Sequence, residues 1–96
     1  MAASIGALTL ELRIEDAHSL KDKRHVVRGL KDRLRHKFNV SVAEIGSQDV
    51  WQHAVIAIVA VGSDREYAEQ LLNAVEQEAE AFLGGALTGS GTEWLA

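Results

Sequence analysis

Cysteine is absent from the 96 residues, which excludes disulfides and thiolate metal sites and fits a reducing compartment. Positive charge is scarce outside one segment: apart from residues 21–37, only Arg13 and Arg65 are basic, against twelve acids. The opening Met1-Ala2-Ala3-Ser4 carries no basic stretch, so no signal peptide is expected. The longest apolar run, Ala54 to Val61, falls far short of the about 20 residues that a membrane span needs. A cytoplasmic location with no membrane partner is the resulting expectation. Hydrophobic content of 47% and charged content of 25% match an ordinary soluble domain. A chain this long makes one domain, able to bury roughly 60–70% of the surface it exposes when unfolded.

Eight of the ten Lys and Arg residues fall in that one segment: Lys21, Lys23, Arg24, Arg28, Lys31, Arg33, Arg35 and Lys37, with only Asp22 and Asp32 among them. The whole chain is mildly acidic, with a formal charge of −4. Gathering its cations on one element gives it a handle for an anionic partner.

Hydrophobic periodicity sets out the elements. Leu8, Leu10, Leu12 and Ile14 alternate with Ala7, Thr9, Glu11 and Arg13, the period-two pattern of a half-buried strand over 5–14. Ser19 reads as an N-cap with Asp22 three residues on, a variant of the capping box. Val26, Val27, Leu30, Leu34 and Phe38 then recur at helical spacing until Asn39. Residues 40–45 read as a second strand, 46–49 as a turn, and 51–61 as a third strand. Ser63 or Asp64 caps a second helix with the face Tyr67, Ala68, Leu71, Leu72, Val75, Ala79, Phe82 and Leu83, ended by Gly84-Gly85. The tail, residues 84–96, is glycine-rich and predicts at best one weak strand near Thr92 to Leu95. The order β-α-β-β-α-(β) is ferredoxin-like, an α+β fold with two helices on one face of an antiparallel sheet. A single domain is expected, with its core over about 5–83.

The third strand is apolar on both sides, with Val55, Ala57, Val59 and Val61 alternating with Ile56, Ile58 and Ala60. One sheet face of a two-layer fold should meet water, so something is expected to cover this strand: a second copy of the chain, which we favour, or the tail folding back.

At about 100° per residue, Lys21, Arg24, Arg28, Lys31 and Arg35 share one band roughly 80° wide and about 21 Å long on the first helix. Glu69, Glu76 and Glu80 occupy the equivalent flank of the second. If the crossovers are right-handed and the strand order is 4-1-3-2, both flanks face outward over opposite sheet edges rather than neutralising each other. The helix dipole accounts for Arg33, Arg35 and Lys37 near the C-terminal end but disfavours Lys21 and Lys23 near the start. Gly29, which costs the helix about 1 kcal/mol relative to Ala, reads as simple tolerance or as room for another molecule to approach. A straight row of five cations suits a phosphodiester backbone, bound with strong salt dependence and little sequence preference. The bland alternative is a solvated basic face. RNA readers of this topology stack bases on aromatics of the open sheet. Here the first strand shows Thr9 and Glu11 and the third offers only Trp51, so contact should run through the first helix.

No catalytic motif stands out. His25 and His36 share a helix face but lie about 16 Å apart, too far to hold one ion, and His18 and His53 have no defined partner. Gly84, Gly85, Gly89 and Gly91 do not lie between a strand and a following helix, so they form no phosphate cradle. Acylphosphatases share this topology but need an Arg-bearing phosphate loop, where this chain has Glu15-Asp16-Ala17-His18. No enzyme, metal or cofactor is expected.

His18-Ser19-Leu20-Lys21-Asp22-Lys23-Arg24, Leu30-Lys31-Asp32-Arg33-Leu34, Phe38-Asn39-Val40-Ser41-Val42-Ala43-Glu44, and Asp49 with Trp51-Gln52 together resemble the YlxP-like family of small bacterial proteins of unknown function. The resemblance covers about residues 5–83 and implies a ferredoxin-like fold. Relatives are commonly encoded among genes for transcription elongation, translation initiation and ribosome maturation, which implies work near RNA or the ribosome. The family supplies no active site, and its last strand is usually a clearer alternating run than this tail. The leading expectation is an RNA- or ribosome-associated accessory protein. The alternative is a protein-interaction or homodimerisation module, and a small-ligand regulatory domain comes third.

Overall fold

In the computed structural model, which describes residues 2–96, the chain runs β1 (Ser4–Arg13), α1 (Leu20–Lys37), β2 (Ser41–Gly46), β3 (His53–Gly62), α2 (Arg65–Leu83), a 3-10 turn (Gly84–Ala86) and β4 (Leu87–Trp94). The four strands form one antiparallel sheet in the order β2-β3-β1-β4. Both helices pack on one side of it, so the fold is ferredoxin-like.

Local chemistry starts and stops the helices where the sequence indicates. The Ser19 side chain accepts the Asp22 N–H at 3.1 Å, while the Asp22 carboxylate accepts the His18 N–H at 3.0 Å. One orphan donor of the first turn, the Asp22 N–H, is thereby satisfied, and the second bond ties the residue before the cap to that turn. Asp64 caps α2 by accepting the Tyr67 N–H at 2.8 Å, and Gly84 ends that helix at φ 56°, where a residue without Cβ is favoured. Leu8, Leu10 and Leu12 of β1, Ile56 and Ile58 of β3, Leu30 and Leu34 of α1, and Leu72 and Val75 of α2 fill the layer between helices and sheet.

Gly6 marks the tightest point of that layer. It lies opposite Ala60 and Trp94 on the helix-facing side of β1. A Cβ there would stand 2.7 Å from Leu72 Cδ1 and 2.8 Å from Trp94 Cζ3. The Trp94 ring is covered in turn by the Arg65 guanidinium, 3.8 Å from the ring centroid.

The tail departs from expectation. It makes an eight-residue strand that pairs with β1 from Gly6↔Trp94 to Leu12↔Leu87, with a bulge between Glu11 and Leu12. Its glycines hid it because they carry no side chains to alternate: Gly89 and Gly91 lie opposite Glu11 and Thr9 on the outward face of an edge strand. Backbone pairing carries the strand, and Leu87 and Trp94 pack against the core near its two ends. Because β4 extends the sheet in its own plane, the tail does not fold over the outward face of β3. On that face Val55, Ala57 and Val59 are half-buried and Val61 is 59% exposed.

Candidate nucleic-acid interface

Helix α1 has three distinct sides. One row, Lys23, Val27, Leu30 and Leu34, is buried against the sheet. A second side meets α2: the Phe82 ring packs on Gly29, where an added Cβ would lie 3.1 Å from Phe82 Cζ, and Arg33 sits 5.2 Å from the centroid of that ring. Gly29 is therefore room for α2 of the same chain, not for another molecule. The third side carries Lys21, Arg24, Arg28, Lys31 and Arg35, of which all but Lys31 are exposed.

Among the described residues, no carboxylate oxygen comes within 4.0 Å of the charged nitrogens of these five side chains. Arg35 donates through Nη2 to the Val42 carbonyl at 2.7 Å, which fixes the row over the β2 edge of the sheet. Shallow concavities follow the row, one lined by Lys21, Asp22, Arg24, His25 and Arg28, another by Arg24, Val27, Arg28, Lys31, Asp32, Arg35 and Glu44. Two acids of α2, Glu76 and Glu80, lie over the other edge. Glu76 accepts from Ser90 Oγ of β4 at 2.5 Å, and Glu80 shares a shallow groove with Gly84 and 87–90. The two charged flanks stand apart, as the strand order requires.

The helices do exchange charge, through residues that periodicity assigned to the helix dipole. Arg33 Nε lies 3.3 Å from Glu78 Oε2, and Lys37 donates to Glu78 Oε1. The hydrogen bond from Lys37, then the positive charges of Lys37 and Arg33, hold the Glu78 carboxyl below its usual range against the opposing effect of desolvation.

Lys23 is the residue that sequence reasoning misplaced. The charge pattern groups it with the basic cluster, yet it is only 1% exposed; its ammonium is 3.0 Å from Glu44 Oε2 and donates to the Ser47 carbonyl. Ser47 sits at φ 60°, in the left-handed region, and its hydroxyl shares a 2.7 Å hydrogen bond with His53 Nδ1. The clue was available: Lys23 precedes Val27 by four residues on the core row, and Glu44 follows Val42 by two on the inward side of β2. Two opposite charges at core-facing positions of neighbouring elements should meet.

The sequence pattern places Trp51 in the third strand. It lies instead in the β2–β3 loop, 53% exposed, because Gln52 binds the β1–α1 connection through Glu15 and Ala17 carbonyls and delays the start of β3 to His53.

A family model described as "Protein of unknown function (DUF503)" matches residues 5–90. The chain belongs to the DUF503 family. The match ends at residue 90, so it takes in the first half of β4. Within the curated proteins, the chain is 42% identical over 91 residues to the uncharacterized protein YlxP of Bacillus subtilis (strain 168), covering 95% of this chain and 99% of that one. The structure is similar to the de novo designed protein Foldit4, with a TM-score of 0.62 at 10% identity over 99% of this chain and 98% of that one. It also resembles a C-terminal segment of the alpha subunit of aIF2 from Pyrococcus abyssi, with a TM-score of 0.54 at 17% identity over 99% of this chain and 51% of that one. Identities this low speak for the fold alone. Among the described residues, no helix is long and apolar enough to cross a membrane.

Proposed function

We propose that this DUF503 protein is an RNA-binding accessory factor that holds phosphates along Lys21, Arg24, Arg28, Lys31 and Arg35, acting by binding and without catalysis. The observation that carries the reading is that none of those cations is paired with a carboxylate among the described residues. The chain has carboxylates enough to neutralise them, yet the interhelical acid Glu78 is engaged by Arg33 and Lys37, and Glu76 and Glu80 lie over the far edge. A row about 21 Å long spans several phosphates and exceeds the reach of a small metabolite. The gene company of the family directs the first test to ribosomal RNA.

Filter binding to single-stranded ribosomal RNA fragments should show log K falling with log salt at a slope of about −3.5, the value for five neutralised phosphates at about −0.7 each. Changing Arg24, Arg28 and Lys31 together to Gln should reduce the slope by about 2 and weaken binding at every salt concentration. Unchanged affinity in that variant would refute the proposal.

A second reading, self-association, rests on the outward sheet face. Ile5, Ala7, Val55, Ala57, Val59 and Val61 share it, and β4 leaves it uncovered. Strand spacing and rise make this face roughly 20 by 27 Å, the footprint of a small, weak interface. On this reading, sedimentation velocity finds a dimer that survives high salt and is abolished by Val59→Asp; a monomer at all concentrations rules it out.

A further inference from the structure

Two of the five aromatic rings of this chain are about half in water, Tyr67 on α2 and Trp51, and Trp51 stands on a loop fastened beside the start of the cation row. Trp51 is 53% and Val50 50% exposed. The loop between β2 and β3 is tied down at both ends. At Ser47 it is held by the Lys23 ammonium and by the hydrogen bond to His53, and the Val50 N–H closes a turn onto the Ser47 carbonyl at 3.0 Å. At Gln52 the side chain donates to the Glu15 and Ala17 carbonyls at 3.2 and 3.3 Å, and the Gln52 carbonyl accepts from the Ile14 N–H at 2.9 Å. Lys23 belongs to the same turn of α1 as Lys21 and Arg24. The buried ammonium therefore brings a presented indole and the first free cations of the row to one end of the molecule.

An aromatic platform joined to a cation track is the arrangement that binds single strands, because an unpaired base can lay its face on the ring while its phosphates follow the charges. A duplex keeps its base faces stacked inside and can use the track only. Of the acids at this end, Asp22 is engaged in capping α1, Glu44 is neutralised by Lys23 and Glu15 lies 3.6 Å from Arg13, while Asp16 and Asp49 are exposed. An acidic peptide would satisfy the cations equally well but gives no reason for an exposed indole at the end of their row. We propose that Trp51 stacks on a base of a single-stranded RNA whose backbone runs from Lys21 toward Arg35. The proposal rests on the phosphate reading above and adds the class of nucleic acid and the residue that selects it.

The test compares a fluorescently labelled short oligoadenylate, an abasic strand of the same length, and a duplex of that length, with binding read by anisotropy. Trp51→Ala should weaken the oligoadenylate about 5- to 150-fold, the range that loss of one base–aromatic stack produces. Trp51→Phe should recover part of it. Neither change should alter binding of the abasic strand or the duplex, nor the salt slope for the oligoadenylate. If Trp51→Ala binds oligoadenylate like the parent while the Arg24/Arg28/Lys31 variant is weakened, stacking is wrong and the phosphate reading stands. If both variants bind like the parent, both ideas fail. An equal loss on all three probes would show the loop acting through something other than a base, and would also overturn the inference. So would loss of a protein dimer in sedimentation of Trp51→Ala, since the indole would then serve a protein contact.

Discussion

Replacing Lys23 with Ala should destabilise the protein by about 3–5 kcal/mol, the usual cost of removing one partner from a buried ion pair. The position is 1% exposed and sits in register with Val27, Leu30 and Leu34, so the alkyl stem is part of the core. Truncation removes that packing, leaves the Glu44 carboxylate at 17% exposure with no countercharge, and frees the Ser47 carbonyl. A domain of this size holds only about 5–15 kcal/mol of stability in total, so the variant should sit close to its unfolding threshold. Thermal melts should show Tm lower by more than about 12 °C, at about 4–8 °C per kcal/mol. The double change Lys23→Met with Glu44→Leu removes both charges and keeps the volume, and should recover most of the loss. If Lys23→Ala melts like the parent, the pair contributes nothing and the loop is held by other bonds.

Changing Gly6 to Ala should cost about 1–3 kcal/mol, the price of forcing an extra methyl into a filled core. Alanine is ordinarily an easy substitute for glycine within a strand. Here its Cβ would fall 2.7 Å from Leu72 and 2.8 Å from Trp94, well inside contact distance. Relief would require moving the Trp94 ring, which Arg65 covers, or shifting α2 outward at Leu72. Either motion loosens the seam between β4 and the rest of the sheet, so amide exchange across 87–94 should quicken along with the drop in Tm. Gly91 is the internal control, since a Cβ there meets nothing within 4 Å and Gly91→Ala should leave stability unharmed. Equal behaviour of the two variants would mean that β4 packs differently.

The alternation of β1, the Ser19 and Asp64 caps and the helical spacing of both apolar faces made the architecture readable from residues alone, because each is a local rule that the tertiary structure obeys. What escaped was set by partners distant in sequence. The strand 87–94 has backbone pairing to β1 but glycines in place of an outward pattern. The roles of Arg33 and Lys37 depend on Glu78, some forty residues away, and on how the helices cross. Gly29 became intelligible only with the Phe82 ring upon it. Lys23 looked like one more cation because composition outweighed phase. The free row itself was accessible, since a helix wheel and a right-handed crossover fix which flank looks outward.

Helix α1 is riveted to β2 and the loop after it at both extremities, through Lys23 to Glu44 and Ser47 at its beginning and through Arg35 to Val42 at its finish. The charged track is accordingly a stiff ruler that cannot bow to follow a guest. Whatever lies along it must do the bending, and the backbone entropy lost on straightening falls on the guest. Limp chains that already favour extended shapes should be welcomed ahead of compactly folded ones carrying the same charge.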